Sequence, residues 1–150
     1  MKKNLAELMH GYRSYHSKKG TLYTHLIGVP LVMFSMFILF AFVKISIPFI
    51  IHTNLAWIGF IAISIYYLRL NVVAGCVASA WMFILCMLAS IFTHFILFLI
   101  VFVVGWIFQL IGHGIEGKKP ALLDNFFASV FIAPFFITVE LLEMFGYKKV

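Results

Sequence analysis

Charge is scarce in this chain. Only 11% of its 150 residues are Asp, Glu, Lys or Arg, where a soluble domain carries about a quarter. Between Val72 and Ile111 there is none, and Ser79, Ser90, Thr93, His94 and Gln109 are the clearly polar side chains. An ordinary water-soluble fold is excluded, because too much apolar surface would stay wet. Cysteine is nearly absent as well. Cys76 and Cys86 stand ten apart on one predicted helix, with about 15 Å between Cα atoms, beyond disulfide reach. Repeats, low-complexity tracts and domain linkers are missing, so residues 1–150 read as a single integral membrane domain. No small-x-small cleavage site follows the first apolar run, so the amphipathic start is expected to be retained. The net charge of +6 reads as attraction to anionic lipid headgroups and as an orientation signal, not as nucleic-acid binding.

What is present is hydrophobic, 64% of the residues, and it comes in blocks. The forty residues 72–111 would reach about 60 Å as one helix, twice the hydrocarbon core, so they must form two spans with a tight turn. The expected fold is all-α, a polytopic membrane helical bundle with four transmembrane helices near 22–43, 55–68, 72–91 and 95–114. Pro30 lies near the start of the first, and Thr53-Asn54 offers the second a cap. Residues 2–16 predict an amphipathic helix lying on the membrane surface. Residues 120–147, interrupted at Ala133-Pro134 and carrying Glu140, predict a broken re-entrant or interfacial helix pair, with a fifth helix as the alternative. Lys2, Lys3, Arg13, Lys18 and Lys19 precede span one, Arg69 separates spans two and three, and Lys118-Lys119 follows span four. Lys44 alone lies on the other side, which places the N-terminus in the cytoplasm.

An even number of crossings brings the start of span one and the end of span four to one face. His16 and His25 flank the first place; His113 and Glu116 mark the second. His52 and His94 fall about 30 Å away at the opposite ends, and His10 on the surface helix reads as solvated. Gln109, Gly112, His113 and Glu116 follow i, i+3, i+4, i+7 and share a helical face, with a gap at Gly112 where another group can approach. His16 and His25, nine apart, would oppose each other on one straight helix; the break at Lys18–Gly20 lets them converge. Three imidazoles and a carboxylate suit a divalent metal such as iron or zinc. Headgroup contact is the competing reading for each histidine. Tyr12, Tyr15, Tyr23 and Trp106 fit an interfacial aromatic belt. Glu140 reads equally as a group behind the ligands, a proton handler or an interfacial anion.

The stretches YRSYHSKKGTLYTHLIGVP (12–30), YYLRL (66–70) and GWIFQLIGHGIEGKKPALLDN (105–125) resemble the membrane family that includes the yeast 2-hydroxy fatty acid dioxygenase. Its most specific element here is Q-x-I-G-H-x-I-E-G-K-K-P, from Gln109 to Pro120. The chain departs from the family at Lys18-Lys19-Gly20-Thr21, where members commonly carry an N-P-x-N-like segment. The resemblance implies Fe(2+) held by His16, His25 and His113, and an Fe(II)-dependent dioxygenase converting 2-hydroxy fatty acids and O₂ to fatty acids one carbon shorter. Gln109 and Glu116 would then orient ligands or substrate, and Lys18, Lys19, Lys118 and Lys119 would attract the carboxylate. Such an enzyme would sit in a bacterial inner membrane or the endoplasmic reticulum.

Two other functions stay open on the residues alone. A haem held non-covalently between His25 and His113 would give an electron-transfer or sensor protein, since no C-x-x-C-H attachment motif is present. A non-enzymatic lipid-binding protein would use the same polar cluster for headgroups.

Overall fold

The computed structural model describes residues 9–13, 18–47, 51–117 and 126–147. A helical segment at 9–13 is followed by α1 (Lys19–Ala41), a hairpin of β1 (Lys44–Ile47) and β2 (Ile51–Asn54), then α2 (Leu55–Leu70), α3 (Val72–Ile91), α4 (Phe95–Glu116) and α5 (Phe126–Met144). Most of the described residues are thus helical. Three of these helices, α1, α3 and α4, are long and apolar enough to cross a membrane.

Helix α1 is the centre of the bundle. Its buried positions include Thr21, His25, Gly28, Val32 and Ser35, spaced by three and four along one stripe, and Val29, Met33, Phe37 and Ile38 widen that stripe. Pro30 is accommodated within the helix. Helix α4 packs along the stripe more extensively than any other element, with its end beside the start of α1. Glycine makes the approach close. A Cβ on Gly28 would come within 3.1 Å of the Gly105 carbonyl and of Phe108 Cβ, and one on Gly105 within 3.0 Å of Val32. Small residues at such crossings let backbones meet where lipid offers no hydrophobic drive.

On the other side of α1, α3 presents Ala74, Gly75, Ala78, Met82, Cys86 and Ala89, all buried. Cys76 is exposed on the same helix; both thiols are free. Two asparagines punctuate the α2–α3 pair. Asn54 caps α2 by accepting the Ala56 amide at 3.1 Å and donates to Ser90 Oγ at 3.2 Å. Asn71 caps α3 through the Ala74 amide at 3.0 Å. The opposite face of α4 is left open: Ile96, Leu99, Ile100, Val103, Ile107 and Leu110 are all exposed. This is a lipid-facing surface, and the protein is a membrane protein.

Three expectations change. The α1–α2 connection is a β-hairpin, with Lys44 opposite Asn54 and Ser46 opposite His52. Isoleucines and threonine at 45, 47, 51 and 53 favour extended backbone there. Helix α2, expected over 55–68, forms over Leu55–Leu70; its 16 residues, about 24 Å, make it shorter than α1, α3 and α4. The region around Pro134 is one helix, α5, and not a broken pair: the Thr138 hydroxyl donates to the Pro134 carbonyl at 2.8 Å. Trp81 Nε1 donates to Thr138, and the Tyr67 hydroxyl to the Phe131 carbonyl, fixing α5 against α3 and α2. Finally, residues 9–13 pack on protein. Met9 is buried, the Tyr12 ring stacks on Phe136 at 4.2 Å, and Arg13 pairs with Glu140 at 3.0 Å and Glu143 at 2.5 Å.

Candidate metal centre between the first and last long helices

Helix α1 begins without a side-chain cap of its own, and α4 supplies one. Glu116, in the last turn of α4 and 7% exposed, accepts the Lys18 amide at 3.2 Å and the Thr21 hydroxyl at 2.7 Å through Oε2. A carboxylate is well placed there, at the positive end of the α1 dipole. In return the Lys18 ammonium donates to the Ile115 carbonyl at 2.6 Å, one of the acceptors that the end of α4 leaves unused. Gly117, at φ 73°, turns the chain away in the left-handed region that glycine tolerates. The Thr21 hydroxyl also lies 3.2 Å from the Gly112 carbonyl. The two helix ends cap each other.

One turn deeper, His25 fills the gap at Gly112. A Cβ on Gly112 would fall 2.4 Å from Thr24 Oγ1 and 2.7 Å from His25 Cε1 and Nδ1, so only glycine allows the imidazole this position. The His25 ring, 3% exposed, meets the half-buried His113 ring edge to face, 5.2 Å between centroids and 80° between planes. Thr24 Oγ1 lies 3.4 Å from His25 Nδ1 and donates to the Thr21 carbonyl at 2.9 Å. First-row divalent ions sit about 2.1 Å from imidazole nitrogen, so rings this close can share one ion.

The expected site residues are therefore partly assembled. His25 meets His113, and Glu116, one turn further along α4, holds Lys18 and Thr21. Gln109 lies one turn deeper on the same face of α4, its backbone against Gly28. Lys19 is exposed beside Lys18. His16, Lys118 and Lys119 lie outside the described residues. Among the described residues, no group of three or more His, Cys, Asp or Glu side chains is gathered for a metal. His52 and His94 are exposed at the far end of the bundle, and His10 is exposed on the N-terminal segment. Glu140 is at neither histidine: it holds Arg13. Thr21 stands out in the sequence only as part of a departure from the family pattern, and Thr24 not at all: a hydroxyl in the first or second turn of a helix carries no signal until the facing carboxylate is known. Trp106, assigned to a belt, has a buried indole N–H with no hydrogen-bond partner among the described residues.

The family described as Mpo1-like, 2-hydroxy-palmitic acid dioxygenase Mpo1-like, matches residues 2–145. The 2-hydroxy-palmitic acid dioxygenase MPO1 of Saccharomyces cerevisiae is 32% identical over 142 residues, covering 91% of this chain and 78% of the yeast protein. No solved structure matches. A match across nearly the whole length makes this chain a member of the Mpo1-like family.

Proposed function

We propose that this protein is an Fe(II)-dependent dioxygenase that converts 2-hydroxy fatty acids to fatty acids one carbon shorter at the membrane. The observation that carries the reading is the His25–His113 pair, seated at Gly112 where the first and last long helices cap each other. The donors suit the metal: imidazole nitrogens with a neighbouring carboxylate are the ligand type of non-haem iron oxygenases. His25 and His113 would hold it, with His16 as the third imidazole. Iron there would supply O₂ chemistry, with open positions for the hydroxyl and carboxylate oxygens of the substrate.

The chain's own residues do the rest. Glu116 and Thr21 fix the register of α1 on α4 and so the distance between the two rings. Lys18 keeps two ammonium protons beyond the one given to Ile115, and with Lys19, Lys118 and Lys119 would draw a carboxylate to this end of the bundle. Gln109, one turn deeper than His113, is placed to orient the substrate. The acyl chain would lie along the apolar helices, which keeps water from the reacting carbon. The relatives' names support the substrate class.

Purified protein should hold about one iron per chain, and His113→Ala should abolish both the iron and the shortening of 2-hydroxypalmitate with O₂ uptake. Full activity in His113→Ala, or after thorough chelation, would overturn the mechanism. A haem between the same histidines fits the packing less well, because a porphyrin would need α1 and α4 held apart where Gly28 and Gly105 bring them together.

A further inference from the structure

We propose that the polar face of the β1–β2 hairpin, at the end of the bundle away from the histidine pair, is a binding site for a phosphate group, offered in this setting by a lipid headgroup. The inference is independent of the oxidative function. It rests on what the hairpin register collects. Lys44 pairs with Asn54 and Ser46 with His52, so all four side chains share one face, and Ile45 and Thr53 share the other. With Thr53 at its edge, this face lines a shallow depression of about 310 Å³, comparable with the smaller ligand sites, which start at roughly 300 Å³.

The depression is built of donors. Ser46 Oγ lies 3.0 Å from His52 Nδ1. Assigning the hydroxyl as donor leaves the ring proton on Nε2, a second donor beside the Lys44 ammonium. Asn54 is fixed by its bonds to Ala56 and Ser90, so the floor is held in place. Helix α2 starts at the next residue with no acidic side chain in its first turn, which leaves the positive end of its dipole unopposed. No counter-charge is available from the chain either. Residues 8–115 contain no Asp or Glu, and among the described residues Lys44 has no carboxylate partner. The described acids serve the other end, Glu116 on Thr21 and Glu140 and Glu143 on Arg13. Helix α1, 23 residues or about 34 Å, separates the two ends, so the hairpin lies at the depth of the opposite headgroups, where phosphodiesters are the abundant anions.

Native mass spectrometry of the full chain in detergent tests this, with phosphatidylglycerol, diacylglycerol of the same tails, and inorganic phosphate as probes. The wild type should retain phosphatidylglycerol and release diacylglycerol. Lys44→Gln with His52→Gln should lower retention roughly fivefold or more, since a single surface cation is worth about that factor towards anionic lipid. Both side chains are exposed, so folding should be unaffected, and a thermal melt checks it. Arg69→Gln, a cation at the other end of α2, should retain the lipid. Displacement by inorganic phosphate assigns the site to phosphate alone; resistance to it assigns the site to the whole lipid. Equal retention of diacylglycerol, an unchanged double variant, or an equal loss in Arg69→Gln would each overturn the proposal.

Discussion

Gly112→Ala is the sharpest probe of the α1–α4 seam, because a single methyl group must enter a space that is already taken. The new Cβ would stand 2.4 Å from Thr24 Oγ1 and 2.7 Å from two atoms of the His25 ring, where about 3.5 Å is needed. Neither neighbour is a flexible tip: Thr24 is tied to the Thr21 carbonyl and His25 is packed against His113. Two relaxations remain. The His25 ring swings off His113, or the helices part by about 1 Å, which breaks the Thr21 contacts to Gly112 and Glu116. Overpacking of this kind costs about 1–3 kcal/mol, roughly a five- to 150-fold loss in the population holding the paired imidazoles. Co(II) and Fe(II) titrations of the purified protein should therefore show weakened binding while the melt falls modestly. Gly114→Ala is the control. It lies two residues away on the same helix with nothing within 4 Å of its Cβ, and it should be neutral or stabilising by up to about 1 kcal/mol. Metal binding unchanged in Gly112→Ala, or equally weakened in Gly114→Ala, would refute the reasoning.

Three further outcomes follow from the same contacts. Thr21→Val removes a donor from the buried Glu116 carboxylate and should cost about 1–3 kcal/mol with a parallel loss of metal affinity, whereas Thr21→Ser, which keeps the hydroxyl, should recover most of both. Asn54→Ala removes the α2 cap and its tie to Ser90, and a loss of about 0.5–2 kcal/mol in the melt is expected, with metal binding intact. Burial, and then the charge of Glu140, push the Tyr12 phenol above its ordinary value of 10.0. Because the folded state resists ionisation, its stability is full below pH 10 and falls as pH rises above it; Tyr12→Phe should flatten this alkaline decline in a pH series of melts.

The sequence exposed the long helices because forty residues without charge allow few alternatives, and α3 and α4 fall within two residues of their expected limits. It also exposed the seam. The spacing of Gln109, Gly112, His113 and Glu116 defines a face with a hole in it, and His25 occupies that hole. The hairpin was hidden because its strands, Lys44–Ile47 and Ile51–Asn54, are only four residues each, so their polar–apolar alternation is too short to stand out between two long apolar helices. The single helix α5 was hidden by Pro134, which reads as a break until Trp81 and Thr138 are seen to brace it. The N-terminal segment read as lipid-facing because its partner, Phe136 with Glu140 and Glu143, lies more than 120 residues further on. Long-range partners leave no periodic trace.

Scarcity of charge also explains how the candidate centre is kept together. Of the five carboxylates, the three described ones all hold the N-terminal part of the chain. Glu140 and Glu143 fasten Arg13, and Glu116 fastens Lys18 and Thr21. The chain is thus anchored three residues before His16 and two residues after it, by helices distant in sequence. In a medium that supplies no water to satisfy polar ends, each of these contacts also saturates a group that would otherwise be costly to bury. The same few acids therefore close the bundle and set the geometry at the histidines, so a change in Glu116 should move stability and metal affinity together, while one in Asn54, at the other end, moves stability alone.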